Sequence, residues 1–90
     1  MKAHELIAKE ENWCQKAYCK DKEGNFARSM ADGVSFCAFG AIAKCYRSET
    51  WNMHNKLFKY VKTKGFSSVP EWNDANPHSK IIEVLKQLDI

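Results

Sequence analysis

The chain has 90 residues and a mass of 10.4 kDa, which is enough for one small domain and excludes a large cofactor-binding enzyme. Hydrophobic residues make up 44% of the sequence, so the chain can form a core and is not intrinsically disordered. The formal net charge is only +3, which excludes a protein whose whole surface is basic enough to bind polyanions.

The first elements predicted are a short helix and a β-hairpin. Residues 3–11 place apolar side chains at helical spacing. Residues 13–28 contain aromatic stretches on both sides of the turn sequence DKEGN at 21–25, and this pattern predicts the hairpin.

A buried central helix is predicted for residues 34–47. Its side chains are apolar or small on almost every side, as is typical of a helix at the centre of a domain. Ser29 and Asp32 have the spacing of a capping box before it. Gly40 costs about 1 kcal/mol relative to Ala inside a helix, so we expect the backbone of a neighbouring element to approach it closely.

Two amphipathic helices complete the predicted fold. The first begins after its cap, Ser48, and ends at Gly65. Residues 66–76 are expected to be irregular or to include a brief strand, and Pro77 suits the first turn of the last helix. The predicted fold class is therefore α+β and mainly helical, with a short first helix, a β-hairpin, a central buried helix and two amphipathic helices in one domain of residues 1–90.

The compartment expected for this chain is the cytoplasm. Acidic side chains near the start occupy positions where a signal peptide needs an apolar stretch. The longest nearly apolar run, at 34–43, is much shorter than the ~20 residues of a membrane helix. We therefore expect no membrane partner and four reduced cysteines, whereas a secreted chain would use them in disulfides.

A row of lysines marks the first amphipathic helix. Residues 51–70 contain four lysines and no acidic residue. Such a row can contact nucleic-acid phosphates, with a tyrosine stacking on a base, or the acidic surface of a partner protein. It can also be the solvated face of an amphipathic helix. The candidate contact residues are Lys56, Lys59, Lys62, Asn55 and Tyr60.

Aromatic and amide side chains on irregular segments form a second candidate surface. Side chains of this kind offer a partner a large contact area and polar groups. In a small domain they also fill the space between a hairpin and its helices. The candidate residues are Trp13, Gln15, Tyr18, Trp72 and Asn73.

Cysteine chemistry gives a further hypothesis. Cys37 lies near the start of the central helix, where the helix dipole lowers a thiol pKa and a histidine can act as base, whereas burial raises the pKa. Cys14 and Cys19 lack a matching pair at zinc-site spacing, and Cys37 and Cys45 lie about 12 Å apart along a helix. No phosphate-binding glycine loop or serine elbow occurs. We therefore expect no catalytic residue, no metal ion and no cofactor.

Four segments occur in this order along the chain: WCQKAY at 13–18, FCAFGAI at 36–42, WND at 72–74 and EVL at 83–85. Together they resemble a family of small uncharacterised bacterial, plasmid and bacteriophage proteins, a domain of unknown function. That family typically shows W-x-Q-G, an acidic-Gly turn, W-C-x-x-G-A-L, and W-N-D before a final helix. The resemblance covers roughly residues 6–89, with Lys16 where the family has Gly and Phe36 where it has Trp.

The function predicted is that of a small non-enzymatic protein-binding domain. The resemblance to bacteriophage and mobile-element proteins implies one that occludes a host macromolecular partner. The expected partner is a protein with an acidic surface. The alternative is a nucleic-acid-binding module that uses Lys56, Lys59 and Lys62, and a third hypothesis is a Cys37-dependent enzyme.

Overall fold

A computed structural model describes residues 1–90 and contains five α-helices and one two-stranded sheet. This confirms the mainly helical α+β fold. Short 3₁₀ turns occupy Glu10–Asn12, Met30–Asp32 and Arg47–Glu49. In chain order the elements are α1 (Ala3–Leu6), β1 (Cys19–Lys20), β2 (Ser35–Phe36), α2 (Ala38–Tyr46), α3 (Thr50–Thr63), α4 (Val69–Ala75) and α5 (His78–Gln87).

The strand that pairs with β1 lies further along the chain than the sequence predicts. The turn at 21–25 forms and brings Phe26 against Lys20, but only through a single bridge. The antiparallel partner of β1 is β2, with Cys19 opposite Phe36. Residues 34–37 are therefore extended, and α2 begins at Ala38 and not at Val34. Pairing with a distant strand has outweighed the local helical pattern.

The caps also differ from those predicted. The Ser29 hydroxyl donates to Asp32 Oδ2 at 3.3 Å within a 3₁₀ turn and does not cap α2. The cap of α2 is Cys37, whose Sγ accepts from Gly40 N at 3.4 Å. Ser48 lies inside the 3₁₀ turn between α2 and α3. Helix α2 ends just before this turn, because Arg47 has a φ of +47°.

A helix, α4, replaces the irregular segment predicted for residues 66–76. Ser68 caps it, because its hydroxyl accepts from Glu71 N at 3.2 Å, and Pro70 stands in the first turn, where no N–H is needed. Pro77 is the N-cap of α5, which begins one residue later than predicted. The five residues that connect α3 to α4 are Lys64, Gly65, Phe66, Ser67 and Ser68.

Helix α2 forms the centre of the core, as its apolar character predicts. It packs against α1, α3 and α4, and Ala38, Ala41 and Ile42 are fully buried. The expected close approach at Gly40 is confirmed, because a Cβ there would lie 2.0 Å from Tyr18 O. None of the helices combines the length and the apolar character needed to cross a membrane.

Candidate functional site

Asn73 is a fully buried polar residue that joins three parts of the fold. Its Oδ1 accepts from Trp13 Nε1 at 2.8 Å and from the backbone N of Ala38 at 2.9 Å. Its Nδ2 donates to Cys14 O at 3.1 Å and to Asp74 Oδ1 at 3.2 Å. This amide group therefore hydrogen-bonds to residues 13–18, which we call the first loop, to the start of α2 and to its neighbour Asp74 on α4, so the buried side chain is fully paired.

Gln15 and Lys16 extend this contact. Gln15 Nε2 donates to the carbonyl oxygens of Asn73, Asp74 and Asn76 at 3.3, 3.0 and 3.2 Å, so its two hydrogens are shared among three acceptors. The backbone N of Lys16 donates to Asp74 Oδ1 at 2.9 Å. We call this network the α4 latch, and its members are Trp13, Gln15, Lys16, Asn73 and Asp74.

The latch shows what most of the second candidate surface does in the fold. Trp72 and Asn73 are 1% and 0% exposed, so a partner cannot touch either side chain. Trp13 and Gln15 are half-buried and hold the first loop against α4. Tyr18 is 55% exposed and lies outside the latch. The structure thus brings Trp13, Gln15 and Asn73 together in the latch, buries Trp72 beside Tyr60 and leaves Tyr18 on the surface.

Lys16 adopts a backbone conformation that favours glycine, with φ at +66°. We predict that Lys16→Gly raises the free energy of unfolding by about 0.5–1 kcal/mol, since the left-handed strain is removed while the N–H to Asp74 is kept. Urea unfolding measures the change. Lys22→Gly is the control. The φ of Lys22 is not positive, so the extra backbone freedom of glycine should lower the free energy of unfolding at that position. Destabilisation by both variants would contradict the assignment of strain to Lys16.

The lysine face of α3 consists of Lys56, Lys59 and Lys62. All three are exposed and none takes part in an ion pair. At 100° per residue, Lys59 lies directly opposite the buried seam of Leu57 and Val61. The lysine face is therefore the outermost surface of the helix.

The two other residues predicted for this face have different positions. Asn55 is exposed about one turn before Lys59, and at 100° per residue it points between the directions of Lys59 and Lys62. Tyr60 is half-buried and packs edge-on against Trp72, with 6.2 Å between ring centroids. Lys64 Nζ lies 5.4 Å from the centre of the Tyr60 ring. The tyrosine ring is thus held by its neighbours and is not free to stack on a base.

A surface strip of aromatic rings runs from the first loop across α2 to α3. Tyr18 lies 5.3 Å from Phe39, which lies 6.0 Å from Trp51 and 5.5 Å from His54, all between ring centroids. His54 stacks on Phe58 at 5.6 Å. Trp51 is 65% exposed. We call this set the aromatic strip, and of its members only Tyr18 is among the predicted site residues.

The aromatic strip borders the lysine face. Trp51, Asn55, Phe58 and Lys62 follow one another along the helix at spacings of four, three and four residues, so they form one ridge. Lys62 Nζ lies 5.6 Å from the centre of the Phe58 ring, within the range of a cation–π contact. Aromatic and cationic groups therefore form one continuous surface.

The cysteines are buried or half-buried free thiols. Burial raises the pKa of Cys37 to about 11, and the hydrogen bond from Gly40 N only partly opposes this. Burial also raises the pKa of Cys14, Cys19 and Cys45. This direction is opposite to the lowered pKa that the thiol-enzyme hypothesis needs. No group of three potential ligands is arranged to hold a metal ion.

Comparison with known proteins gives one finding. The model of a family of unknown function, DUF6197, matches residues 1–89. No curated protein and no solved structure matches the chain.

Proposed function

We propose that this chain, which belongs to the DUF6197 family of unknown function, is a non-enzymatic protein-binding domain whose partner presents an acidic surface. The observation that carries this proposal is the continuous surface formed by the aromatic strip and the lysine face. Binding to this surface occludes the partner, which we propose to be a host macromolecule.

The aromatic strip supports binding because it exposes large apolar side chains that are already ordered. Trp51 and Tyr18 are 65% and 55% exposed. Tryptophan and tyrosine are enriched among the residues that dominate binding energies at protein interfaces. Trp51 also packs edge-on against His54 at 5.1 Å, so little conformational freedom remains to be lost on binding.

The charge of the neighbouring surface indicates the chemistry of the partner. Three lysines without ion-pair partners stand beside the strip, and residues 51–70 contain no acidic side chain. A surface of this kind attracts acidic groups and repels basic ones, which raises association rates and selects the partner. Rim charges contribute specificity, while the aromatic side chains contribute affinity.

The alternative of nucleic-acid binding rests on the same lysines, because they can neutralise phosphates. Single-strand binding also needs aromatic ring faces on which bases can stack. Tyr60 packs against Trp72, and Phe58 has one face on His54 and Lys62 near its ring. Base stacking would therefore fall to the exposed rings of Trp51 and Tyr18, which also serve a protein interface, and the nuclease arm of the experiment below separates the two functions.

A pull-down from lysate of the source cells, with and without nuclease, tests the proposal. We expect a stoichiometric protein that survives nuclease. Trp51→Ala, and separately the triple replacement of Lys56, Lys59 and Lys62 by Ala, should lower its retention about tenfold. Phe26→Ala is the aromatic control, because Phe26 is 72% exposed and lies outside the strip.

The lysine control is the triple replacement of Lys9, Lys22 and Lys86 by Ala, which removes the same charge from exposed positions outside α3. Both controls should retain the partner. Partners that disappear with nuclease would support the nucleic-acid alternative instead. Equal loss in the control and test variants would show that the surface is not specific and would refute the proposal.

A further inference from the structure

A groove of about 670 Å³ opens between the first loop and residues 26–30, and neither the aromatic strip nor the lysine face accounts for it. Its volume lies within the range of about 300–1,000 Å³ that is typical of small-molecule sites. Tyr18 and Phe26 line it with aromatic rings, and Met30 and Cys37 add apolar surface. A small ligand with an apolar body can therefore bind in this groove.

Two cations line the same groove. Lys16 and Arg28 are exposed, and neither takes part in an ion pair. The acidic residue in the lining is Asp74, whose Oδ1 already accepts from Lys16 N and Asn73 Nδ2. Two cations against one carboxylate give the lining a net positive charge, and Arg28 presents a planar guanidinium that suits a carboxylate.

We propose that this groove binds a small amphipathic carboxylate, such as an aromatic or short aliphatic acid. Its apolar body lies against Tyr18, Phe26 and Met30, and its carboxylate pairs with Arg28 and Lys16. The groove is a second site beside the proposed protein interface, and Tyr18 is the one residue that it shares with the aromatic strip.

An NMR titration of the ¹⁵N-labelled full chain tests the proposal with three matched probes. The probes are 4-phenylbutyrate, the neutral 4-phenylbutanol and the cationic 4-phenylbutylamine. We expect 4-phenylbutyrate to shift the amide signals of residues 16–19 and 26–30. The alcohol should bind about tenfold more weakly, and the amine more weakly still, because each lacks the charge-assisted hydrogen bonds.

Two variants and a control locate the site. Arg28→Gln should weaken 4-phenylbutyrate binding about tenfold, whereas Arg47→Gln, at an exposed arginine outside the groove, should leave it unchanged. Trp51→Ala should also leave it unchanged, so this result is independent of the protein-binding test. No shift at millimolar probe, equal affinity for the three probes, or shifts confined to α3 would each overturn the proposal.

Discussion

Replacement of Asn73 by Ala is expected to lower the free energy of unfolding by about 3–5 kcal/mol. The side chain is fully buried and pairs with Trp13 Nε1, Ala38 N and Cys14 O. Its removal leaves two donors and one acceptor without their partner, and each such loss costs about 1–3 kcal/mol where the group is buried. Urea unfolding followed by tryptophan fluorescence measures the effect.

Two further variants make this result specific to the latch. Asn55→Ala, at an exposed position on α3, should change stability by less than about 0.5 kcal/mol. Asn73→Asp keeps the acceptor for Trp13 but places a carboxylate against Cys14 O and Asp74 Oδ1, so its stability should recover when the carboxyl is protonated at low pH. A loss of less than about 1 kcal/mol for Asn73→Ala would contradict a stabilising role for the latch.

Replacement of Gly40 by Ala is the second large expected effect. A Cβ at this position would lie 2.0 Å from Tyr18 O and 3.0 Å from Tyr18 C, so backbone must move to admit it. The same carbonyl accepts from Cys37 N at 3.1 Å, and that bond holds the extended segment before α2. We expect a loss of about 3 kcal/mol, although Ala favours a helix by about 1 kcal/mol over Gly.

The matched control is Gly65→Ala. No atom lies within 4 Å of a Cβ at Gly65, so the cost there comes only from its φ of +90°. That backbone conformation costs an L-residue about 1–2 kcal/mol. Thermal and urea unfolding of both variants compare the cost of the steric clash at Gly40 with the cost of the positive φ at Gly65. A Gly40→Ala protein as stable as the parent would refute the close contact with Tyr18.

The helices that bury a clear apolar stripe are predictable from this sequence, and the elements that depend on distant partners are not. Residues 34–37 are as apolar as the helix that follows, and only their pairing with β1 makes them extended. Helix α4 has local signals in Ser68, Pro70 and Glu71, which together have the pattern of a capped helix start. The sequence of this segment therefore contains the signals of a helix start, and the prediction of an irregular segment did not use them.

The candidate site is less predictable, because periodicity does not show which polar residues are buried or which apolar ones remain exposed. Asparagine is a residue type usually found on the surface. Asn73 is buried because its hydrogen-bond partners, Trp13 and Cys14, come from a distant part of the sequence. Trp51 lies at the margin of the apolar face of α3, where helical spacing alone assigns it to the core. Whether the Trp51 side chain is buried depends on how far the elements that pack against α3 extend over it.

The latch also determines when the domain can fold during synthesis. The side-chain bonds that join residues 13–15 to residues 73–76 span 58 to 61 positions of the chain, and Gln15 reaches as far as Asn76. Closing such long loops is entropically costly, and contacts between distant positions slow folding. On the ribosome the first loop emerges well before α4, so its bonds to α4 cannot form while the middle of the chain is translated. The nascent chain can reach its native state only after α4 has left the exit tunnel, in one late step that orders both ends of the latch together.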